Sequence, residues 1–213
     1  MKKDKEDKGK FVTLEGIEGV GKTTVIEYIA NLLNEKNIQF IQPCEPGGTK
    51  FRNEIRNILL EKNDYDISGN TELLLLTASR LEHINTIIKP ALETKWVLCD
   101  RYVDATYAYQ GYGRGIELEM IDNTMHAINA PMPDLTLLLD ADVKTALTRA
   151  KERSEPDRFE SESVEFFNKV RNGYLDRKQN EPNRIKIVDS NKNLESVMKS
   201  VKKIIIEFIE SDE

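Results

Sequence analysis

Apolar positions along the chain alternate between two rhythms. Phe11-Val12-Thr13-Leu14 is a short apolar run, and Val25, Ile26, Ile29, Leu32 and Leu33 follow at helical spacing, which predicts a strand and then a helix ending near 34–37. Residues 38–41 read as a second strand. Pro43-Cys44-Glu45-Pro46-Gly47-Gly48-Thr49 is too heavily punctuated for regular structure. Ile55, Ile58, Leu59 and Leu60 mark a second helix, 63–70 a polar loop, and Thr71-Glu72 the opening of a long apolar helix that runs to about Ile88 and stops at Pro90. Trp96-Val97-Leu98-Cys99-Asp100 is a buried strand with a carboxylate at its far end. The pattern recurs at 135–139 before Asp140 and at 184–188 before Asp189. Val197, Val201, Ile204, Ile205 and Phe208 form the last packed helix. Five strands alternating with helices predict an α/β fold: a five-stranded parallel sheet flanked by helices.

Between the first strand and the first helix stands Gly16-Ile17-Glu18-Gly19-Val20-Gly21-Lys22-Thr23-Thr24, a phosphate-binding loop of the P-loop NTPase type. Its glycines let backbone N–H groups curl around phosphate oxygens. Lys22 reaches the β- and γ-phosphates of ATP, the Thr23 hydroxyl ligates Mg²⁺, and a helix starting at Lys22 adds the positive end of its dipole. Asp100, at the carboxyl end of its strand, stands where a second Mg²⁺-organising group is needed.

Composition narrows the class. The 213 residues suit one domain, read as 11–213 behind a charged tail over 1–10, with 39% hydrophobic and 32% charged residues. A net charge of −6 argues against nucleic-acid binding, which needs a basic face. No window approaches the ~20 apolar residues of a membrane span. Cys44 and Cys99 show neither metal spacing nor a disulfide framework; they read as small buried apolar side chains, and the reading is a cytoplasmic protein.

Three further stretches belong with the loop: Glu45-Pro46-Gly47-Gly48-Thr49; Asp100-Arg101-Tyr102 with Tyr109-Gln110-Gly111-Tyr112-Gly113-Arg114-Gly115; and Asp157-Arg158-Phe159-Glu160. Together, in this order over about 11–189, they resemble thymidylate kinase, of the bacterial type. The resemblance implies ATP + dTMP giving ADP + dTDP with Mg²⁺, a short mobile lid near 149–160, and a homodimer. It implies that Arg101 holds the acceptor's phosphate, that Glu18 meets the acceptor's 3′-hydroxyl, and that Glu45 lies near metal and acceptor phosphate. It assigns Arg80 and Leu76 to the base, Thr106 and Gln110 to the pyrimidine edge, and Tyr109 to the sugar. With no arginine among the loop's variable positions, the lid supplies the catalytic arginine, Arg153 first and Arg149 next, from a cluster that includes Lys151 and Arg158. The chemistry agrees, since phosphoryl transfer between two anions needs converging cationic charge.

Three positions depart from the family pattern: Leu76 for a stacking phenylalanine, Cys44 for an arginine, and Arg52 for a small residue, an added charge that offers a replacement for the one missing at Cys44. Leu76 keeps open a kinase for another monophosphate, such as dUMP, dGMP or CMP. A slow nucleotide switch would need a guanine-reading Asn-Lys-x-Asp, which is absent from the sequence, and a non-enzymatic ATP-binding module would not need Arg101. His83 and His126 lack metal-ligand spacing and read as surface or rim histidines.

Overall fold

The computed structural model describes residues 8–61, 66–152 and 157–211. The run Phe11–Glu15 forms β1, buried along its whole length as a central parallel strand must be. It pairs with β3 (Trp96–Asp100) on one side and β4 (Leu135–Asp140) on the other. β2 (Phe40–Ile41) lies outside β3 and β5 (Ile185–Asp189) outside β4, so the order is β2-β3-β1-β4-β5 with every pairing parallel. The chain winds to one side of β1 and then to the other. Ligands of such sheets bind at the carboxyl ends of the strands around that reversal.

Helices cover both faces: α1 (Lys22–Glu35), α2 (Lys50–Leu60), α3 (Gly69–His83), α4 (Lys89–Leu92), α5 (Val103–Thr106), α6 (Leu118–Ala127), α7 (Val143–Lys151), α8 (Val164–Asn180) and α9 (Leu194–Glu210). α1 turns Val25, Ile26, Ile29, Leu32 and Leu33 into the core. Side chains of Thr49, Ser68, Asp142, Ser163 and Asn193 cap the first turns of α2, α3, α7, α8 and α9. α1 instead begins at Gly21 with no side-chain cap, which leaves its first N–H groups for a ligand.

Three expectations about the elements change. The second strand is only Phe40–Ile41, because Asn37 turns left-handed (φ 57°) and the Ile38 N–H donates back to Leu33, drawing Ile38 into the end of α1. Pro90 does not stop the third helix. A widened π-helical stretch, Ile84–Ile88, resets the hydrogen-bond register, so Pro90 enters at the first positions of α4, where no N–H is required. The loop expected over 63–70 ends at Ser68, since α3 starts at Gly69; residues 62–65 lie outside the described residues. The charged start of the chain is held at its inner end: Gly9 donates to Leu92, and Lys10 accepts from Val97.

A buried ion group ties α5 and α8 to the sheet. Asp104 on α5 accepts from Arg177 Nε of α8 at 3.0 Å and from Arg184 NH1 and NH2, just before β5, at 2.7 and 2.9 Å. Burial pushes this carboxyl up, but Arg184 and Arg177 hold it below the usual carboxylate range. Without Asp104 the two largely buried guanidinium groups would have Glu181 as their one remaining carboxylate among the described residues. Asp104→Asn is expected to lower unfolding free energy by about 3 kcal/mol, read from urea denaturation; a change under about 1 kcal/mol would show that the group is dispensable.

Candidate active site

The loop after β1 is pressed against β4 and α7 so closely that side chains do not fit at two of its glycines. A β-carbon on Gly19 (φ 75°) would lie 1.8 Å from the carbonyl oxygen of Ala146, and one on Gly16 (φ 134°) 2.3 Å from that of Leu139. Ile17 and Val20 turn their side chains into the core, so these two offer phosphate only backbone. Lys22 Nζ donates to the carbonyl oxygens of Gly16 and Ile17 at 3.0 and 2.9 Å, holding the loop in shape. Burial pushes the Lys22 ammonium down to about 8, Arg101 adding to the effect and Asp100, Glu18 and Glu15 opposing it. Thr23 and Thr24 are exposed at the helix start.

Beside the loop ends β3. Arg101 follows it with φ 64°, unusual for a residue other than glycine, and its N–H donates to Leu14 of β1. The turn aims its guanidinium across the loop. NH2 donates to Glu18 at 2.8 Å, NH1 to the Tyr174 hydroxyl at 3.0 Å, and the group lies over the Tyr109 ring at 5.1 Å. The Tyr109 hydroxyl also donates to Glu18, at 2.6–2.7 Å. Burial disfavours the Arg101 charge, yet Tyr109, Tyr174, Glu18 and Asp100 raise its pKa well above the ordinary value.

Asp100 Oδ1 is buried and has no hydrogen-bond partner among the described residues, and Asp100 and Thr23 line the same cavity. A hydroxyl and a carboxylate with an uncommitted oxygen are hard donors that fit Mg²⁺, with phosphate oxygens and water completing the shell.

The cavity encloses about 510 Å³ and runs from Lys22, Thr23 and Asp100, past Glu18 and Arg101, to Leu76, Thr106, Tyr109 and Gln110. That size suits a nucleotide-sized ligand. Its floor is a buried network. Glu45 accepts from Arg80 Nε at 2.7 Å and bonds His83 Nδ1 at 2.7 Å, while Arg80 NH1 donates to Thr106 and NH2 to the carbonyl oxygen of Tyr102. Burial alone would raise the Glu45 pKa, but Arg80 and His83 hold it below the ordinary value.

Residues 14–201 match the family model for thymidylate kinase. Curated relatives agree: thymidylate kinase of Ruthia magnifica is 46% identical over 93% of this chain and 98% of its own, and that of Methylococcus capsulatus 46% identical over 91% and 93%. A crystal structure of thymidylate kinase from Ehrlichia chaffeensis superposes with a TM-score of 0.76 at 33% identity, covering 93% of this chain and 99% of that one. The chain belongs to the thymidylate kinase family.

Most residues that the family resemblance singles out line this cavity: Glu18, Glu45, Leu76, Arg80, Arg101, Thr106, Tyr109 and Gln110. Arg149 does not; it is exposed on α7, and its NH1 donates to the carbonyl oxygen of Ser190 after β5. Arg158 is drawn elsewhere, to the carbonyl oxygen of Leu59 and to Glu72, so these two arginines form no cluster. Arg153 lies outside the described residues, as do 154–156. Arg52 is fully buried behind the loop, donating to the carbonyl oxygen of Cys44 at 2.7 Å instead of adding charge to the cavity.

Cys99 is buried as expected, but Cys44 is exposed on the cavity wall, its backbone bridged to Asp100 at the end of β3. His126 is exposed as expected; His83 is buried in the core, drawn in by Glu45.

Glu15, Glu72 and Tyr174 also bear on the site and are not among the residues expected there from sequence. Glu15 Oε1 accepts from the Tyr102 N–H at 2.7 Å and Oε2 from the Tyr174 hydroxyl at 2.9 Å, so it orients the phenol that holds Arg101. Its signal was available: it is a carboxylate closing an apolar run, like Asp100.

Burial pushes the Glu15 carboxyl from 4.5 up to about 8, Asp104 adding to the rise and Arg101, the Tyr102 N–H and Tyr174 opposing it. Between those values the folded chain keeps a proton that the unfolded chain releases. The Glu15 contribution is therefore fully present below about 4.5 and lost as pH rises through 8. Glu15→Gln, which keeps the acceptor for Tyr102, is expected to match the unmodified protein's melting temperature near pH 5 and to exceed it by about 4 °C near pH 9. A gap that does not change with pH would rule out a protonated Glu15.

Proposed function

We propose that the chain transfers the γ-phosphoryl group of ATP to the phosphate of dTMP, giving ADP and dTDP. The reading rests on one observation above all: Lys22 of the phosphate loop and Arg101 at the end of β3 face one cavity that continues to a polar, base-sized end. An oxygen of the dTMP phosphate attacks the γ-phosphorus as the bond to the β,γ-bridging oxygen breaks, and the electron pair leaves on ADP. Lys22 leaves the loop carbonyls for the β- and γ-phosphate oxygens. Arg101 holds the acceptor phosphate and screens its repulsion from the donor. Thr23 and Asp100 would hold a Mg²⁺ ion, whose charge offsets that of the phosphate oxygens. Glu18, fixed by Arg101 and Tyr109, meets the 3′-hydroxyl, and Thr106 and Gln110 face the pyrimidine edge, with Arg80 and Glu45 beneath them. The arginine that approaches the transferring phosphoryl comes from 149–160, with Arg153 the first candidate and Arg149 the second.

Initial rates with Mg·ATP and dTMP, dUMP, dCMP or dGMP test the assignment. dTMP is expected to be the preferred acceptor, and Arg101→Met to lower kcat/KM by about 10²–10³-fold while the fold persists. Equal rates with dTMP, dCMP and dGMP, or acceptor-independent ATP hydrolysis at the full rate, would overturn it.

We also propose that the enzyme is a cytoplasmic homodimer that pairs through α3 and α6. No helix among the described residues is long and apolar enough to cross a membrane. Leu74 and Leu81 on α3 are 59% and 39% exposed, and Leu118 and Met120 on α6 are 37% and 39% exposed. Met120 also lines a shallow hollow with Thr77, Thr124, Ala127 and Ile128 together with Glu117, Glu119 and Asn123, and a second copy would cover this mixed face along with the exposed leucines. Sedimentation is expected to give a dimer, and a Leu74→Glu/Leu81→Glu variant a monomer; a monomeric unmodified protein would refute the pairing.

A further inference from the structure

Glu72 is fully buried behind the base-facing end of the cavity and does not line it. Its carboxylate accepts from Arg114 Nε at 3.1 Å, from Arg158 NH1 at 2.8 Å and from Gln110 Nε2 at 3.2 Å. Of these three donors, Gln110 is the one that lines the cavity.

Facing two guanidinium groups, Glu72 offers only acceptors. A glutamine beside it must therefore turn its NH₂ inward, and the orientation of the amide follows from the chemistry of its neighbour. The carbonyl oxygen Oε1 is then the polar atom left for the ligand. Four residues earlier, Thr106 is set in the opposite sense. Its oxygen accepts from Arg80 NH1 at 2.8 Å, so its own proton is available to donate outward. The wall thus offers an acceptor beside a donor. Its complement is an imide edge, an N3–H beside a C4 carbonyl, as in thymine or uracil. Cytosine presents the reverse, a bare N3 beside an amino group.

We propose that Glu72 is a positioning residue for base selection: by fixing the Gln110 amide with its oxygen toward the ligand, it makes the site accept N3–H bases and reject cytosine. The inference rests on the monophosphate reading above and adds to it the residue that sets the polarity of the base site. A site whose hydrogen-bonding sense is fixed discriminates far better than one whose amide turns freely.

The test compares kcat/KM for dTMP and dCMP, with thermal melting as a control for folding. A glutamine at 72 offers Gln110 both donor and acceptor, so Glu72→Gln is expected to lower the dTMP-to-dCMP ratio by about tenfold or more. Glu72→Asp keeps the charge opposite the arginines but withdraws it from Gln110, and is expected to lower the ratio in the same sense. A purely structural role would depress both acceptors in parallel and leave the ratio unchanged, which overturns the proposal. In the unmodified enzyme without nucleotide, ¹⁵N-resolved exchange should find the Gln110 side-chain amide protons protected, and fast exchange overturns it without any variant. Absence of a dTMP preference in the unmodified enzyme removes the base-site reading itself. A preference kept by both variants removes only the role of Glu72.

Discussion

A half-buried guanidinium must be surrounded by acceptors, and the cavity is arranged around that requirement at Arg101. Its backbone is anchored on β1 through Leu14, and its side chain takes Glu18 from the phosphate loop, Tyr174 from α8 and the ring of Tyr109 from a second π-helical stretch, Tyr107–Gly113, after α5. Four parts of the chain thus converge on one cation. The left-handed backbone at Arg101 carries a cost of about 1 kcal/mol or more, and the contacts made by its side chain maintain it. The charge stays in place without ligand because Glu18 balances it. A phosphate arriving at Arg101 therefore meets a preformed donor set and competes with one carboxylate, not with bulk water.

The two ends of the cavity use opposite strategies. At the phosphate end the helix start of α1 has no side-chain cap, and among the described residues Lys22 bonds only loop carbonyls and Asp100 Oδ1 has no partner, so several strong groups face the cavity. At the base end Glu45 binds Arg80 and His83, Glu72 separately binds Arg114 and Arg158, and these buried groups set Thr106 and Gln110 from behind. Affinity for an anion is gained by leaving charge exposed to the ligand. Selection among neutral bases is gained by fixing small dipoles from behind.

Much of this was legible along the chain. Short buried strands that end in carboxylates and alternate with amphipathic helices leave few arrangements other than a parallel sheet, and the glycine spacing marks which strand end faces the phosphates. Pairings between distant residues were not legible. His83 resembled a rim histidine because its partner, Glu45, lies 38 residues away, and only the packing of α3 against the loop after β2 brings them together. Arg149 and Arg158 looked like one cluster because they are neighbours in sequence. α7 ends between them, sending one toward β5 and the other toward α2 and α3. Glu72 resembled an ordinary acidic residue in the first turn of a helix, where the dipole alone would account for it. Its burial could not be foreseen without Arg114 and Arg158.

Leu76 sharpens the question of what selects the base. An aromatic ring at this position would hold any pyrimidine by its face, adding affinity without distinguishing thymine from cytosine. A leucine gives less of that attraction and, being apolar, no edge information. Discrimination then falls on the hydrogen-bonding edge, on Thr106 and Gln110, and therefore on the buried charges that set their polarity. The substitution that weakens stacking raises the share of recognition carried by Arg80 and Glu72, two residues locked into the core by their own ion pairs. Base selection in this chain is in that sense a property of its interior, expressed at the cavity by two small polar groups.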